Sequence, residues 1–353
     1  MNTIQHLQNL QKVRVGMVGA GTNSRARHIP GFQVLEGVEV IGVANRSRES
    51  SQRVADEFGM SHVFENWHEL VQSPDIDAVC IGTWPYMHCP ITLSALNAGK
   101  HVLTEARMAM DASEARAMLQ ASRRNPQLVA QVVPSPFTLK VDRTIQDMIG
   151  SGYLGSLNAI ELRVTQRDFP EFGGPFQWRH DRSVSGYNLL FLGVWYEALM
   201  RWVGPATEVS AMTKVTVPQR VGTDGLLKGV TVPDHVEVLC QFAGGAQAHL
   251  AFSAVTGLSA AGDVWLFGTE GTLNLDTVSM TLSGGRRGDH GLKEISISPE
   301  KQETWRVEEE FINAIRGLEP VRLTTFEDGL AYMEFTEAVT RSAQERKTVS
   351  LPL

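Results

Sequence analysis

Val13-Arg14-Val15-Gly16-Met17-Val18-Gly19-Ala20-Gly21-Thr22-Asn23-Ser24 passes from a strand into a glycine-rich turn. The first six residues alternate and then run apolar, which predicts a buried first strand. In a Gly-x-Gly-x-x-Gly dinucleotide fingerprint the first glycine makes the tight turn and the second lets a pyrophosphate reach the backbone. Gly19 and Gly21 fill those two positions, and Ser24 fills the third, small enough for close helix–strand packing. Gly19, Gly21, Thr22 and Asn23 are therefore candidate cofactor-binding residues.

The surrounding chain supports this. A second strand, Val38–Ala44, follows after a helix-length gap, and further apolar runs lie at 78–82 and 101–103. Stretches rich in Ala, Glu and Leu lie between them, at 91–98 and 112–123. Alternation of this kind predicts a Rossmann-type, doubly wound parallel sheet. At the end of the second strand an NAD-preferring fold places an acid for the ribose 2′-hydroxyl. Here the residue is Asn45, followed by Arg46. An amide beside a guanidinium suits a 2′-phosphate, because an acid would repel it and Arg binds it through charge-assisted bonds. The reading favours NADP(H), with NAD(H) left open.

At 353 residues the chain fits two domains. A net charge of −7 argues against nucleic acid as a partner. No apolar stretch approaches the roughly 20 residues of a membrane span. Met1 to Lys12 is polar and lacks a signal-peptide core. Cys80, Cys89 and Cys240 are too scattered for a disulfide framework or a zinc site, so buried, reduced thiols, no metal and a cytoplasmic location are expected. The domain boundary is placed at the Pro134-Ser135-Pro136 step, giving 1–134 and 135–353, with the last helix, 327–346, assignable to either. In the second half, 157–167, 208–217, 235–242, 247–254 and 263–267 read as strands, with Gly244-Gly245 as a hairpin turn. That predicts an α+β domain with a large, mostly antiparallel sheet.

Several segments together resemble the Gfo/Idh/MocA family, named for glucose-fructose oxidoreductase, inositol dehydrogenase and a rhizopine-catabolism protein. Asp75 to Thr83 is similar to one of its strands, and Thr83-Trp84-Pro85-Tyr86-Met87-His88 stands where the family has Thr-Pro-Asn-x-x-His. Ala95 to Leu103 is close to its most recognisable signature, and Gly268 to Leu273 and Glu327 to Leu330 match later positions. The resemblance implies that Thr83, Trp84, His88 and Glu105 contact the cofactor, with His88 orienting the nicotinamide end. It also implies a homodimer or homotetramer formed through the second domain's sheet.

The family's Glu-Lys-Pro motif, whose lysine takes part in proton transfer, appears here as Glu105-Ala106-Arg107. The family's second-domain helix, bearing an Asp and a His four residues apart, is matched to Ser185 through Glu197. Depending on register, Phe191 and Trp195 or Leu190 and Val194 take those positions. Phe191 and Trp195 would stack on a substrate ring or pack in the core. Replacements are sought nearby. His180 is the acid/base candidate, since its unperturbed pKa is near neutrality. Tyr187 is a proton donor if a cation lowers its pKa. Arg107 is suited to an oxyanion or carboxylate. Arg179 and Asn188 are substrate-binding candidates.

Three functions stay open at this point. One is an NAD(P)-dependent oxidoreductase acting on a sugar, cyclitol or related polyol, with a non-standard proton-transfer set. Another is a redox-neutral, glycoside-cleaving enzyme with a tightly bound nicotinamide cofactor. The third is a non-catalytic, nucleotide-binding regulatory protein.

Overall fold

The computed structural model describes residues 12–260 and 262–353. The N-terminal stretch judged above to lack a signal core lies, through Gln11, outside the described residues. The chain divides into two compact units. The first is the chain through Pro134 together with Arg306–Leu330, and the second is Ser135–Trp305 together with Ala331–Leu353.

The first unit is built on six strands, β1 (Val13–Val18), β2 (Val38–Ala44), β3 (His62–Val63), β4 (Ala78–Ile81), β5 (His101–Thr104) and β6 (Ala130–Val132). They are all parallel and lie in the order β3-β2-β1-β4-β5-β6. This is the dinucleotide-binding order, with its switch point between β1 and β4. β4 is buried at every residue, as a strand covered on both faces must be. Val79, Ile81, Ile91, Ala95, Leu96 and Val102 form its core with Leu70 and Val71. The helices begin where the sequence supplies caps. Ser47 accepts from the Ser50 N–H ahead of Arg48–Phe58, and Asp111 accepts from the Glu114 N–H ahead of Ala112–Arg124. Gly59, at φ 68, ends the first of these.

One expectation is corrected. Placing all of 135–353 in a second domain misassigns 306–330, which returns to the first unit. Helix Val307–Ile315 packs there against helix Ile29–Gln33, with Phe32 and Phe311 edge to face at 6.3 Å. The Val132 N–H also donates to the Thr324 carbonyl at 3.1 Å, extending β6. The last helix, Phe326–Glu345, is divided, its residues through Leu330 belonging to the first unit and the rest to the second.

The second unit carries a nine-stranded sheet. Its strands are β7 (Leu157–Thr165), β8 (Ala206–Lys214), β11 (His235–Phe242), β12 (Gln247–Ser253), β13 (Asp263–Gly268), β14 (Gly271–Asp276), β15 (Leu282–Arg286), β16 (Lys293–Glu294) and β17 (Val349–Ser350). The order is β16-β15-β14-β13-β7-β12-β11-β8-β17, antiparallel apart from the β7–β12 pair. Strands β9 (Gln219–Val221) and β10 (Leu227–Gly229) form a separate hairpin across the glycine-rich stretch between them. The Gly244-Gly245 turn joins β11 to β12, with Gly245 at φ 89. Val236, Val238, Cys240 and Phe242 of β11 are buried while Leu239 is 61% exposed, the period-two pattern of a sheet covered on one face. All three cysteines are buried and free. No described helix is long and apolar enough to cross a membrane.

Candidate active site

The glycine turn separates two tasks. Gly19 has φ 82, and a Cβ there would lie 2.7 Å from Thr83 Cγ2 and 2.8 Å from the Thr83 backbone nitrogen. Only glycine fits, because the conformation is left-handed and the neighbour is main chain. A Cβ on Gly21 would meet only the Gly82 carbonyl at 3.9 Å, so Gly21 keeps a space open that the protein does not fill. Ser24 is fully buried in the fingerprint's third position, and its hydroxyl donates to the Gly19 carbonyl at 3.1 Å. The close approach is compensated across the sheet, where a Cβ on Gly82 would fall 2.1 Å from Ser24 Oγ.

A cavity of about 370 Å³ continues from this turn, bordered by Asn45, Arg46, Ser50, Thr83, Trp84 and Tyr86. Asn45 lines this cavity and also ties the turn together. Its Oδ1 accepts from the Ala20 N–H at 2.7 Å, and its Nδ2 donates to the Ser50 carbonyl at 3.1 Å, pinning the glycine turn to the end of β2. Arg46 extends over the Trp84 ring, 5.8 Å from its centroid. Both side chains are exposed, leaving a cation and an indole face for an adenosine moiety. Thr83 Oγ1, buried at the cavity wall, has no hydrogen-bond partner among the described residues. The open cradle at Gly21, the unpaired Thr83 hydroxyl and the Arg46–Trp84 pair fit a dinucleotide. Thr22 and Asn23 open the helical segment beyond the turn.

Glu105 follows β5 directly and is saturated with donors. Its Oε1 accepts from Asn23 Nδ2 and lies 3.0 Å from His28 Nε2, and its Oε2 accepts from the Ala106 N–H at 3.0 Å. His28, fully buried on the π-helical turn Ser24–His28, also places Nδ1 2.5 Å from Glu308 Oε1. Burial alone would lower the His28 pKa, but hydrogen bonds to Glu105 and Glu308 raise it to about 9. Burial likewise pushes the Glu105 carboxyl up, and the bonds from His28 and Asn23 bring it below its ordinary value. Sequence reading missed both His28 and Glu308. The peptide between Ala106 and Arg107 is cis.

Both ring nitrogens of His88 lie against main-chain carbonyls. His88 is buried, with Nδ1 3.0 Å from the Arg107 carbonyl and Nε2 3.0 Å from the Thr83 carbonyl, so it braces the Thr83 turn against the Arg107 turn. Burial lowers its pKa.

In the second unit, the helix expected from Ser185 begins instead at Leu192 and runs to Val203. A four-residue helix, Arg182–Ser185, is ended by Gly186 at φ 66, and Leu190 at φ 43 breaks the chain again. Tyr187 and Asn188 lie in that irregular stretch rather than opening a helix. Asn188 is buried and donates to the Ser185 carbonyl at 2.6 Å, while the Arg182 guanidinium sits 5.5 Å from the centroid of the Tyr187 ring. Phe191 is 40% exposed and Trp195 is buried. Phe137, 38% exposed and not anticipated from sequence, joins them at centroid distances of 6.0 and 5.8 Å. The segment bearing Phe137 is fixed by buried charges. Glu197 accepts from the Ser135 N–H at 3.0 Å and pairs with Arg201 at 2.9 Å, and Arg201 also reaches Thr138 Oγ1 and Asp142.

His180 ends the short 3₁₀ turn Trp178–His180. Its Nδ1 accepts from the Gln177 N–H at 3.0 Å, so a neutral ring carries its proton on Nε2. Burial, with the charge of Arg220 adding to it, lowers its pKa and keeps it neutral. His180 therefore presents a donor at Nε2, where the sequence suggested an acid/base. Arg179 is exposed and lies over the Trp178 ring at 4.2 Å.

Known proteins share this architecture. The family model described as oxidoreductase family, NAD-binding Rossmann fold, matches residues 13–132, and the GFO/IDH/MocA C-terminal domain matches 143–274. The 1,5-anhydro-D-fructose reductase of Ensifer adhaerens is 30% identical over 272 residues, 74% of this chain and 74% of that protein. An uncharacterised oxidoreductase of Rhizobium meliloti is 27% identical over 343 residues, 94% of this chain and 97% of its own length. Among solved structures, levoglucosan dehydrogenase in complex with NADH and L-sorbose superimposes with a TM-score of 0.85 at 21% identity, over 96% of this chain and 99% of that one.

Proposed function

The chain belongs to the GFO/IDH/MocA oxidoreductase family, and on that premise we propose that it moves a hydride between a nicotinamide cofactor and a hydroxyl-bearing carbon of a sugar, cyclitol or related polyol. The observation that carries this reading is the cradle left open at Gly21, continuous with the cavity bordered by Arg46, Thr83 and Trp84. The nicotinamide ring, when bound, supplies the hydride chemistry. Gly21 admits the pyrophosphate to the backbone, and Arg46 gives a 2′-phosphate a charged partner, so NADP(H) is proposed over NAD(H).

The second unit carries exposed aromatic faces of its own. Phe137 and Phe191 offer exposed ring faces for the apolar face of a sugar ring. His180, in the same unit, holds its Nε2–H as a fixed donor suited to a substrate oxygen. Relatives with matching names support the substrate class, since one is a 1,5-anhydro-D-fructose reductase and another a levoglucosan dehydrogenase. The open face of the nine-stranded sheet, with Met212 78% and Leu239 61% exposed, is proposed to be covered by a second copy of the chain.

Denaturing the purified protein and assaying released nucleotide tests for a resident cofactor. Absorbance at about 340 nm on adding NADP+ or NAD+ with a polyol panel tests turnover. Oxidation of at least one polyol with faster use of NADP+ is expected. A chain that binds neither nucleotide would remove the proposal.

A further inference from the structure

We propose that Glu308 and His28 are positioning residues that hold a net negative charge on Glu105 at the nicotinamide end of the nucleotide groove, so that the site takes up the oxidised, cationic cofactor in preference to the reduced, neutral one. The inference rests on the nicotinamide reading above and concerns which form of the cofactor the site takes up.

The charge follows from counting protons. Both ring nitrogens of His28 lie on carboxylate oxygens, at 2.5 Å from Glu308 and 3.0 Å from Glu105. Each contact needs one proton, and a neutral imidazole brings only one. With the second proton in place the three groups carry one positive and two negative charges, or an arrangement with the same sum. The total is −1 wherever the protons sit. His28 and Glu308 have side-chain exposures of 0% and 5%, and Glu105 has 16%, so Glu105 is where the charge meets the outside.

The location follows from topology. In this strand order a dinucleotide crosses at the β1/β4 switch point, with its adenosine half at the end of β2. Asn45 and Arg46 mark that end. The other half therefore falls on the side of β4 and β5, and Glu105 is the first residue past β5. Asn23, which donates to Glu105, connects the cluster to the turn that receives the phosphates. Accepting a hydride converts the ring from a cation to a neutral species, so a fixed anion there acts on the oxidised form alone. Ala106, in the place of the family's lysine, adds no opposing charge.

Calorimetric titration of the full chain with NADP+, NADPH, NAD+ and NADH tests this, using the native protein and Glu105→Gln at pH 6.5. In the native chain the oxidised form binds at least as tightly as the reduced form. In Glu105→Gln the outward-facing charge is gone, because any charge left in the cluster resides on buried Glu308, and the oxidised form weakens by about tenfold while the reduced form stays within about twofold. Equal weakening of both forms would show a merely structural role and overturn the proposal, as would an unchanged ratio. If the variant does not fold, the native ratio decides, and tenfold tighter binding of the reduced form overturns it. A native chain that binds none of the four nucleotides fails the nicotinamide reading itself, a different result from an unmoved ratio.

Discussion

Gly19→Ala and Gly21→Ala, two positions apart, are expected to fail in opposite ways. At Gly19 the added methyl lands 2.8 Å from the Thr83 backbone nitrogen and 2.7 Å from its Cγ2, on a residue held at φ 82. The left-handed conformation costs an alanine about 1–2 kcal/mol. Overpacking against main chain that cannot swing away adds about 1–3 kcal/mol. The sum, roughly 2–5 kcal/mol, corresponds to a fall in melting temperature of about 10 °C for a unit of this size. At Gly21 the only neighbour is the Gly82 carbonyl at 3.9 Å, an ordinary contact, so the melting temperature should stay within about 2 °C of the native value. The methyl instead occupies the pyrophosphate's approach, and nucleotide affinity should fall by about tenfold or more, at least ~1.4 kcal/mol. Thermal unfolding without ligand and isothermal titration with NADP+ separate the two effects. A Gly21→Ala protein that binds nucleotide normally would refute the assignment of the cradle. A Gly19→Ala protein of native stability would refute the steric argument.

Arg46→Asp should weaken NADPH by about 100-fold while changing NADH by less than about threefold, since the acid repels a 2′-phosphate and accepts from a 2′-hydroxyl. Parallel losses for both cofactors in the same titration would show that Arg46 acts through stacking on Trp84 alone. His180→Asn should lower kcat/KM by about 10- to 100-fold, because the amide oxygen can still accept from the Gln177 N–H but the Nε2–H is gone. In the native protein the active form is the neutral ring, whose folded pKa lies below its ordinary value. Protonating Nδ1 would turn it into an N–H facing the Gln177 N–H and release the ring from the contact that aims Nε2, so activity is full at pH 7 and falls as pH drops through that lowered pKa, an acid limb that His180→Asn should lack. A pH profile of unchanged shape in the variant would take His180 out of the mechanism.

The strands that could be read from sequence are those whose burial pattern is long enough to repeat. β11 has the bounds the sequence predicts, His235 to Phe242, because its buried positions alternate over eight residues, with Leu239 the one apolar side chain on the open face. β3 and β6, two and three residues long, show no period, and they exist because β2 and β5 offer them unpaired edges. The false helix start at Ser185 has a different origin. Its breaks are Gly186, which the sequence displays, and Leu190 at φ 43, which it does not, since leucine carries no signal for a left-handed turn. Ala20, pinned by Asn45, shows the same limit at the cofactor end. The amide of Asn45 ties Ala20 to Ser50, a role no motif announces, while Asn45, Arg46 and Ser50 together line the cavity.

The candidate site was least legible where it depends on buried charge. The run Glu308-Glu309-Glu310 opens helix Val307–Ile315, and acids there are explained locally by the favourable end of the helix dipole. Glu309 pairs with its neighbour Arg306, and the fold gives the other two more distant partners. Glu310, 3% exposed, accepts from Gln131 Nε2 and from the Arg322 and Leu323 N–H groups, and Glu308, 4% exposed, meets His28. A buried carboxylate without donors costs several kcal/mol, so each of these contacts fixes where 306–330 must lie. The same requirement explains Glu105 without its lysine. Its charge is stabilised by His28, Asn23 and the Ala106 N–H, none of which the substitution at 106 removes. The loss of the lysine therefore leaves the carboxylate's setting intact.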